Sequence, residues 1–202
     1  MEQPTDGQPL VGILALQGGF AAHARILRDL GALTRLVRVT KDLAGLDALI
    51  IPGGESTVMT LGIEREGLAE PLRELIGTGT PTLGTCAGMI MLDRDHLGVL
   101  DVHARRNAFG RQTRSFESEV DLAGVGPLRA VFIRAPWIDA HGEDVEILAE
   151  IDGHPVAVRD GDILAVSFHP ELAGESRLHR LLLEAAARRR TQRTAGLRDR
   201  EA

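Results

Sequence analysis

The only cysteine of the chain, Cys86, sits in Gly84-Thr85-Cys86-Ala87-Gly88, and far downstream His169-Pro170-Glu171 closes the apolar run from Ile163 to Phe168. A thiol, an imidazole and a carboxylate form a set that cleaves acyl bonds: the imidazole takes the thiol proton and the carboxylate aims the imidazole. Glycines two before and two after the cysteine fit a sharp strand-to-helix turn that projects the nucleophile. At a helix N-terminus the unpaired amides favour the thiolate, lowering a thiol from its usual pKa of about 8.5. An isolated cysteine is more often a buried structural residue; the glycine frame and the preceding strand reverse that preference. His169 and Glu171 are two apart, so in extended chain they point to one side. They also lie just past a strand, at the carboxyl edge of a sheet, where open α/β sheets hold ligands.

Other segments can complete such a site. Pro52-Gly53-Gly54-Glu55-Ser56 follows a strand and opens a helix, so its amides can converge on a developing oxyanion, as can that of Ala87. The competing reading, a phosphate cradle, lacks the Gly-Lys-Ser/Thr ending of a P-loop, and Gly18-Gly19 supplies no Gly-x-Gly-x-x-Gly. Arg106 and Arg134 stand beside glycine-containing or apolar turns, where a guanidinium fork suits a carboxylate, although on these residues alone a solvated surface arginine is the favoured reading. The remaining histidines, His23, His96, His103, His141, His154 and His179, have no cysteine or carboxylate spacing typical of zinc, so no metal is required.

The elements that must position these residues follow from periodicity. Apolar runs at Leu10–Leu16, Leu33–Val39, Leu46–Ile51, Pro81–Thr85 and Ile163–Phe168 read as strands. Between them, helices are predicted over Ala21–Leu30, Thr57–Ile63 with Ser56 as cap, about Glu66–Ile76, and Ser176–Ala187. Strands alternating with helices imply an α/β fold with a mostly parallel twisted sheet covered by helices on both faces. From about Leu97 to Val158 the short alternating runs Ser115–Leu122, Leu128–Ile133 and Val145–Ile151 predict an antiparallel excursion within the same domain. At 202 residues and 44% hydrophobic the chain suits one domain, 10–187, with a loose segment 1–9 and a mobile, arginine-rich tail 188–202.

Composition narrows the function classes. A net charge of −6 leaves no basic footprint for nucleic acid, and no apolar stretch approaches the roughly 20 residues that cross a bilayer. One cysteine cannot form an internal disulfide, and the opening Met-Glu-Gln-Pro-Thr-Asp-Gly has no secretory pattern, so a cytoplasmic protein is expected. Lys41, the only lysine, lies in a polar connector, which argues against imine chemistry on this chain.

Taken in order, Leu14-Ala15-Leu16-Gln17-Gly18, Pro52-Gly53-Gly54-Glu55-Ser56-Thr57, Gly84-Thr85-Cys86-Ala87-Gly88-Met89, Arg106-Asn107-Ala108-Phe109-Gly110-Arg111-Gln112, Phe132-Ile133-Arg134-Ala135-Pro136 and Phe168-His169-Pro170-Glu171-Leu172 resemble the glutaminase subunits of pyridoxal 5'-phosphate synthase. The elbow and the His-x-Glu pair are general to class I glutamine amidotransferases, while the second, fourth and fifth segments are particular to this family. The resemblance implies a class I amidotransferase-like, flavodoxin-like fold and hydrolysis of L-glutamine by Cys86, His169 and Glu171. It further implies substrate contacts from Gly54, Glu55, Ser56, Arg106, Ile133 and Arg134, and an oxyanion hole of Gly53, Gly54 and Ala87. No cofactor is implied. Ammonia would pass to a synthase subunit within a large hetero-oligomer, with Gln17 and Gly18 at the partner contact. A glutaminase serving another synthase, such as imidazole glycerol phosphate synthase, is the nearest rival, and a non-catalytic scaffold subunit is a third reading.

Overall fold

The computed structural model describes residues 8–109 and 115–198, with side chains described through residue 193. The Gly110–Gln112 end of the fourth motif, residues 1–7 of the N-terminal segment and residues 199–202 of the tail lie outside the described residues.

Five strands, β1 (Leu10–Leu14), β2 (Leu33–Val37), β3 (Ala48–Ile51), β4 (Thr82–Thr85) and, late in the chain, β11 (Ile163–Val166), pair in parallel. The excursion supplies β5 (Val102–Arg105), β6 (Phe116–Leu122), β7 (Gly126–Phe132), β8 (Trp137–His141), β9 (Glu146–Ile151) and β10 (His154–Asp160). Of these, β10 and β9 extend the main sheet antiparallel to β11, giving the order β2-β1-β3-β4-β11-β10-β9. The other four form the separate antiparallel pairs β5–β8 and β6–β7. The parallel core with a late antiparallel excursion is the α/β arrangement that the run pattern predicts.

Near-continuous apolar strands are buried on both faces, and alternate side chains serve two cores. Val11, Ile13, Ala48, Ile50, Leu83, Leu164 and Val166 face one layer. There they meet Ala24 and Leu27 of α1 (Phe20–Asp29) and Leu178, Leu182 and Ala186 of α5 (Arg177–Arg198). Leu14, Leu49, Ile51 and Ala165 face the other. That layer is covered by α2 (Ser56–Arg65), α3 (Ala69–Gly77) and α4 (Ala87–Leu92). Periodicity ends the last helix at Ala187, whereas α5 continues through Arg198. Its arginine- and alanine-rich continuation is a good helix former. It is also anchored: Arg189 donates to the Thr78 carbonyl at 3.1 Å, and Arg190 to that of Gln8 at 2.8 Å. No helix among the described residues is long and apolar enough to cross a membrane.

Candidate active site

Cys86 stands between β4 and α4 with φ 49° and ψ −108°, a left-handed conformation that costs an ordinary L-residue roughly 1–3 kcal/mol. The turn is held from both sides. The Cys86 amide donates to Val166 O at 2.8 Å, continuing the β4–β11 ladder. The framing glycines let α4 fold back tightly: a Cβ at Gly84 would lie 2.6 Å from Leu92 Cδ1, and one at Gly88 would lie 1.9 Å from the Ile51 carbonyl oxygen. The thiol therefore projects at the carboxyl edge of the sheet, with Sγ 3.8 Å from Ile133 O.

His169 follows β11, and its amide donates to Val131 O of β7 at 2.8 Å, so the hairpin of the excursion fixes its height. His169 Nδ1 meets Glu171 Oε1 at 2.8 Å. The pair does not meet through the extended-chain alternation that its spacing suggests. Residues 170–174 form a turn, closed by the Glu175 amide on Pro170 O at 2.9 Å, and this turn folds Glu171 back beneath the imidazole. With Nδ1 committed to Glu171, Nε2 is left for Cys86.

Charge in this cluster is strongly coupled. Burial opposes a proton on His169, but hydrogen bonding to Cys86 and Glu171 and their negative charges outweigh it, raising the imidazole to about 10. Burial likewise opposes ionisation of Glu171, yet the His169 hydrogen bond and the neighbouring imidazoles hold its carboxyl below the usual range. The arrangement therefore favours a protonated His169 held against an ionised Glu171.

A second layer lies behind the carboxylate. His23 of α1 and His179 of α5 are fully buried, with His23 Nδ1 2.9 Å from His179 Nε2. His23 Nε2 lies 3.4 Å from Glu171 Oε2 and 3.3 Å from Thr85 Oγ1. Burial pushes both histidines down, His179 to about 3, so both are neutral at pH 7. Spacing along the chain points to no metal-ligand role for these two histidines and does not pair them with Glu171. Their visible signal is a place on an otherwise apolar helical stripe, His23 four residues before Leu27 and His179 three before Leu182.

The glycine loop after β3 packs directly on the triad: a Cβ at Gly53 would lie 2.3 Å from His169 Cε1 and 3.2 Å from Cys86 Cβ. Two of its amides are engaged. Gly53 N–H donates to Thr85 Oγ1 at 3.0 Å, and Glu55 N–H to Gln17 Oε1 at 2.6 Å. Of the three expected oxyanion donors, Gly53 thus has its hydrogen directed at Thr85, which leaves Gly54 and Ala87. Gln17 and Gly18 lie against the same loop, and Gly18 (φ 97°) approaches so closely that a Cβ there would fall 1.9 Å from Gly53 O. The cap of α2 is Glu55 rather than Ser56, because the longer carboxylate reaches the amides of Thr57 at 3.3 Å and Val58 at 3.1 Å. Ser56 becomes the first, buried residue of the helix.

These groups surround one open cavity of about 540 Å³, ample for an amino acid. Cys86, His169, the Gly53–Gly54 loop, Arg106, Ile133 and Arg134 all line it. Arg106 Nη2 lies 3.4 Å from Glu55 Oε1, and both side chains remain partly exposed. Arg134 takes φ 47° in the turn after β7. Every residue expected at the site therefore borders the same space.

Residues 13–188 match the model of the SNO glutamine amidotransferase family. The chain is 50% identical over 188 residues to pyridoxal 5'-phosphate synthase subunit PdxT of Mycolicibacterium vanbaalenii, covering 87% of this chain and 96% of that relative. It is 52% identical over 195 residues to the subunit of the same name in Clavibacter michiganensis subsp. michiganensis, covering 91% and 93% respectively. A solved glutamine amidotransferase structure superposes with a TM-score of 0.82 at 45% identity, over 87% of this chain and 98% of the other.

Proposed function

The chain belongs to the SNO glutamine amidotransferase family, and from that premise we infer that Cys86, His169 and Glu171 carry the reaction of a glutaminase subunit of pyridoxal 5'-phosphate synthase. The activity is hydrolysis of L-glutamine to glutamate, with release of ammonia for the synthase. The observation that carries the residue assignment is the meeting of the elbow thiol, the His169–Glu171 pair and a glycine loop in one cavity.

The Cys86 thiolate attacks the side-chain amide carbon, and the oxyanion takes hydrogen bonds from the Gly54 and Ala87 amides. The His169 imidazolium gives its proton to the departing nitrogen, so ammonia leaves neutral and a γ-glutamyl thioester remains. Now neutral, His169 takes a proton from water, whose oxygen attacks the thioester; glutamate leaves and the thiolate–imidazolium pair is restored. Glu171 holds Nδ1 of the imidazole throughout. Arg106 and Arg134 bind the α-carboxylate, and Ser56, Ile133 and the Glu55 backbone shape the remaining wall.

The partner is the synthase subunit, in a large hetero-oligomer. Gln17 and Gly18 form the contact, where the Gln17 bond to the Glu55 amide links a docking surface to the oxyanion loop. A lone catalytic thiol suits the reducing cytoplasm. In the complex, Cys86→Ala abolishes pyridoxal 5'-phosphate formation from glutamine and leaves formation from added ammonium intact. Loss of the ammonium-dependent reaction with assembly preserved refutes this division of labour.

A further inference from the structure

Glu171 carries an unresolved pairing problem. Its Oε1 is taken by His169, while its Oε2 is buried and makes no hydrogen bond among the described residues. A buried carboxylate oxygen without a donor is expensive. His23 Nε2 of α1 lies 3.4 Å away, close to this oxygen and to Thr85 Oγ1 but outside hydrogen-bond geometry with the carboxylate. The other groups facing His23 are Thr85 from β4, His179 from α5 and, through the triad, His169.

Proton counting selects the arrangement. Two neutral imidazoles joined at 2.9 Å share one hydrogen between His23 Nδ1 and His179 Nε2. If His23 supplied it, the lone pair of His23 Nε2 would face the Glu171 carboxylate. His179 Nδ1 would then carry a hydrogen toward the Glu175 backbone, which favours a proton on this ring but leaves Nδ1 without a well-formed hydrogen bond. If His179 supplies it, His23 Nε2–H faces Oε2 and Thr85 Oγ1, and His179 Nδ1 presents a neutral lone pair toward the Glu175 backbone. A hydrogen bond to an ionised carboxylate outweighs one to a neutral carbonyl, so the second arrangement is the favoured one.

We propose that His23, held by His179 in the tautomer with its hydrogen on Nε2, is a positioning residue that secures the free oxygen of Glu171 and so keeps the carboxylate aimed at His169. Resting on the glutaminase assignment, this adds two members to the machinery, α1 and α5 each contributing one through the core. Thr85 extends the link to the glycine loop, since its hydroxyl receives the Gly53 amide while lying against the same His23 nitrogen.

The test uses two polar replacements of different reach, measured in the complex with the synthase subunit. Glutamine places its amide near the former Nε2, whereas asparagine reaches only the former Nδ1 position, facing His179. His23→Asn is expected to lower kcat for glutamine hydrolysis roughly tenfold or more with KM within about twofold, as for a misaligned catalytic group. His23→Gln stays within about threefold of the unsubstituted protein. A second readout, the pH profile of Cys86 alkylation by iodoacetamide in the chain alone, needs no turnover: its midpoint rises in His23→Asn and is retained in His23→Gln. His23→Asn with unchanged kcat and alkylation profile, or His23→Gln as impaired as His23→Asn with the fold intact by circular dichroism, overturns the proposal. A failure of the glutaminase assignment shows differently, as an unsubstituted complex that releases no ammonia from glutamine while the alkylation profiles still separate the variants.

Discussion

Acid should loosen this protein through a residue that performs no chemistry. His179 is fully buried, and burial together with His23 pushes it down to about 3, whereas in an unfolded chain a histidine titrates near 6.5. Because the folded value is the lower one, the unfolded chain binds more protons across that window. The stability that His179 contributes as a neutral ring is present above about pH 6.5 and falls as the pH drops toward 3. At about 1.4 kcal/mol per pH unit below the unfolded value, the loss between pH 7 and pH 5 comes to about 2 kcal/mol. His23 is shifted in the same direction and adds to it. His169 works oppositely: raised to about 10, its contribution is complete below about 6.5 and is lost as pH rises through 10, so between pH 7 and pH 5 it gains slightly less than about 1 kcal/mol. His179→Gln isolates the first effect, since the His169 contribution is common to both proteins. Urea unfolding followed by far-UV circular dichroism from pH 7 to pH 5 should show the unsubstituted protein losing about 2 kcal/mol more than His179→Gln, whatever offset separates them at pH 7. Parallel stability curves would mean that His179 keeps its unfolded-state protonation inside the fold, and the neutral two-histidine layer would have to be abandoned.

Two further perturbations examine the substrate wall and the elbow. Arg106→Ala should raise KM for glutamine about tenfold to a hundredfold with a smaller change in kcat, since a charge-assisted bond to a carboxylate contributes about 1.5–3 kcal/mol; steady-state kinetics in the complex with KM unchanged would remove Arg106 from the site. Gly88→Ala would place a methyl 1.9 Å from the Ile51 carbonyl oxygen. Overpacking of that kind costs about 1–3 kcal/mol, so thermal denaturation should register a Tm lower by several degrees, and an unaltered Tm would contradict the close packing of α4 on β3.

How far the sequence exposes this site depends on where each interaction is decided. The elbow is legible because its constraint is written beside it: Gly84 and Gly88 frame Cys86, and both are needed for α4 to fold back, although the atom that forbids a side chain at Gly88 belongs to Ile51, on another strand. The His169–Glu171 pair is legible as a pair but not as a geometry, since a turn closed through Glu175 brings the two groups together where strand alternation was expected. The cap of α2 shifts by one residue because reach decides between Ser56 and Glu55, and a preference for small polar caps does not encode reach. His23 and His179 lie at the other extreme. They are 156 positions apart, and their meeting exists only because α1 and α5 cover the same face of the sheet. The groups proposed to perform the chemistry sit at strand ends, where short motifs record them. The groups that hold Glu171 from behind sit on helices, where they resemble ordinary core positions. A substitution at His23 or His179 would leave every recognisable motif intact while changing the carboxylate on which His169 depends, and kinetics on those two positions can expose that dependence where motif inspection cannot.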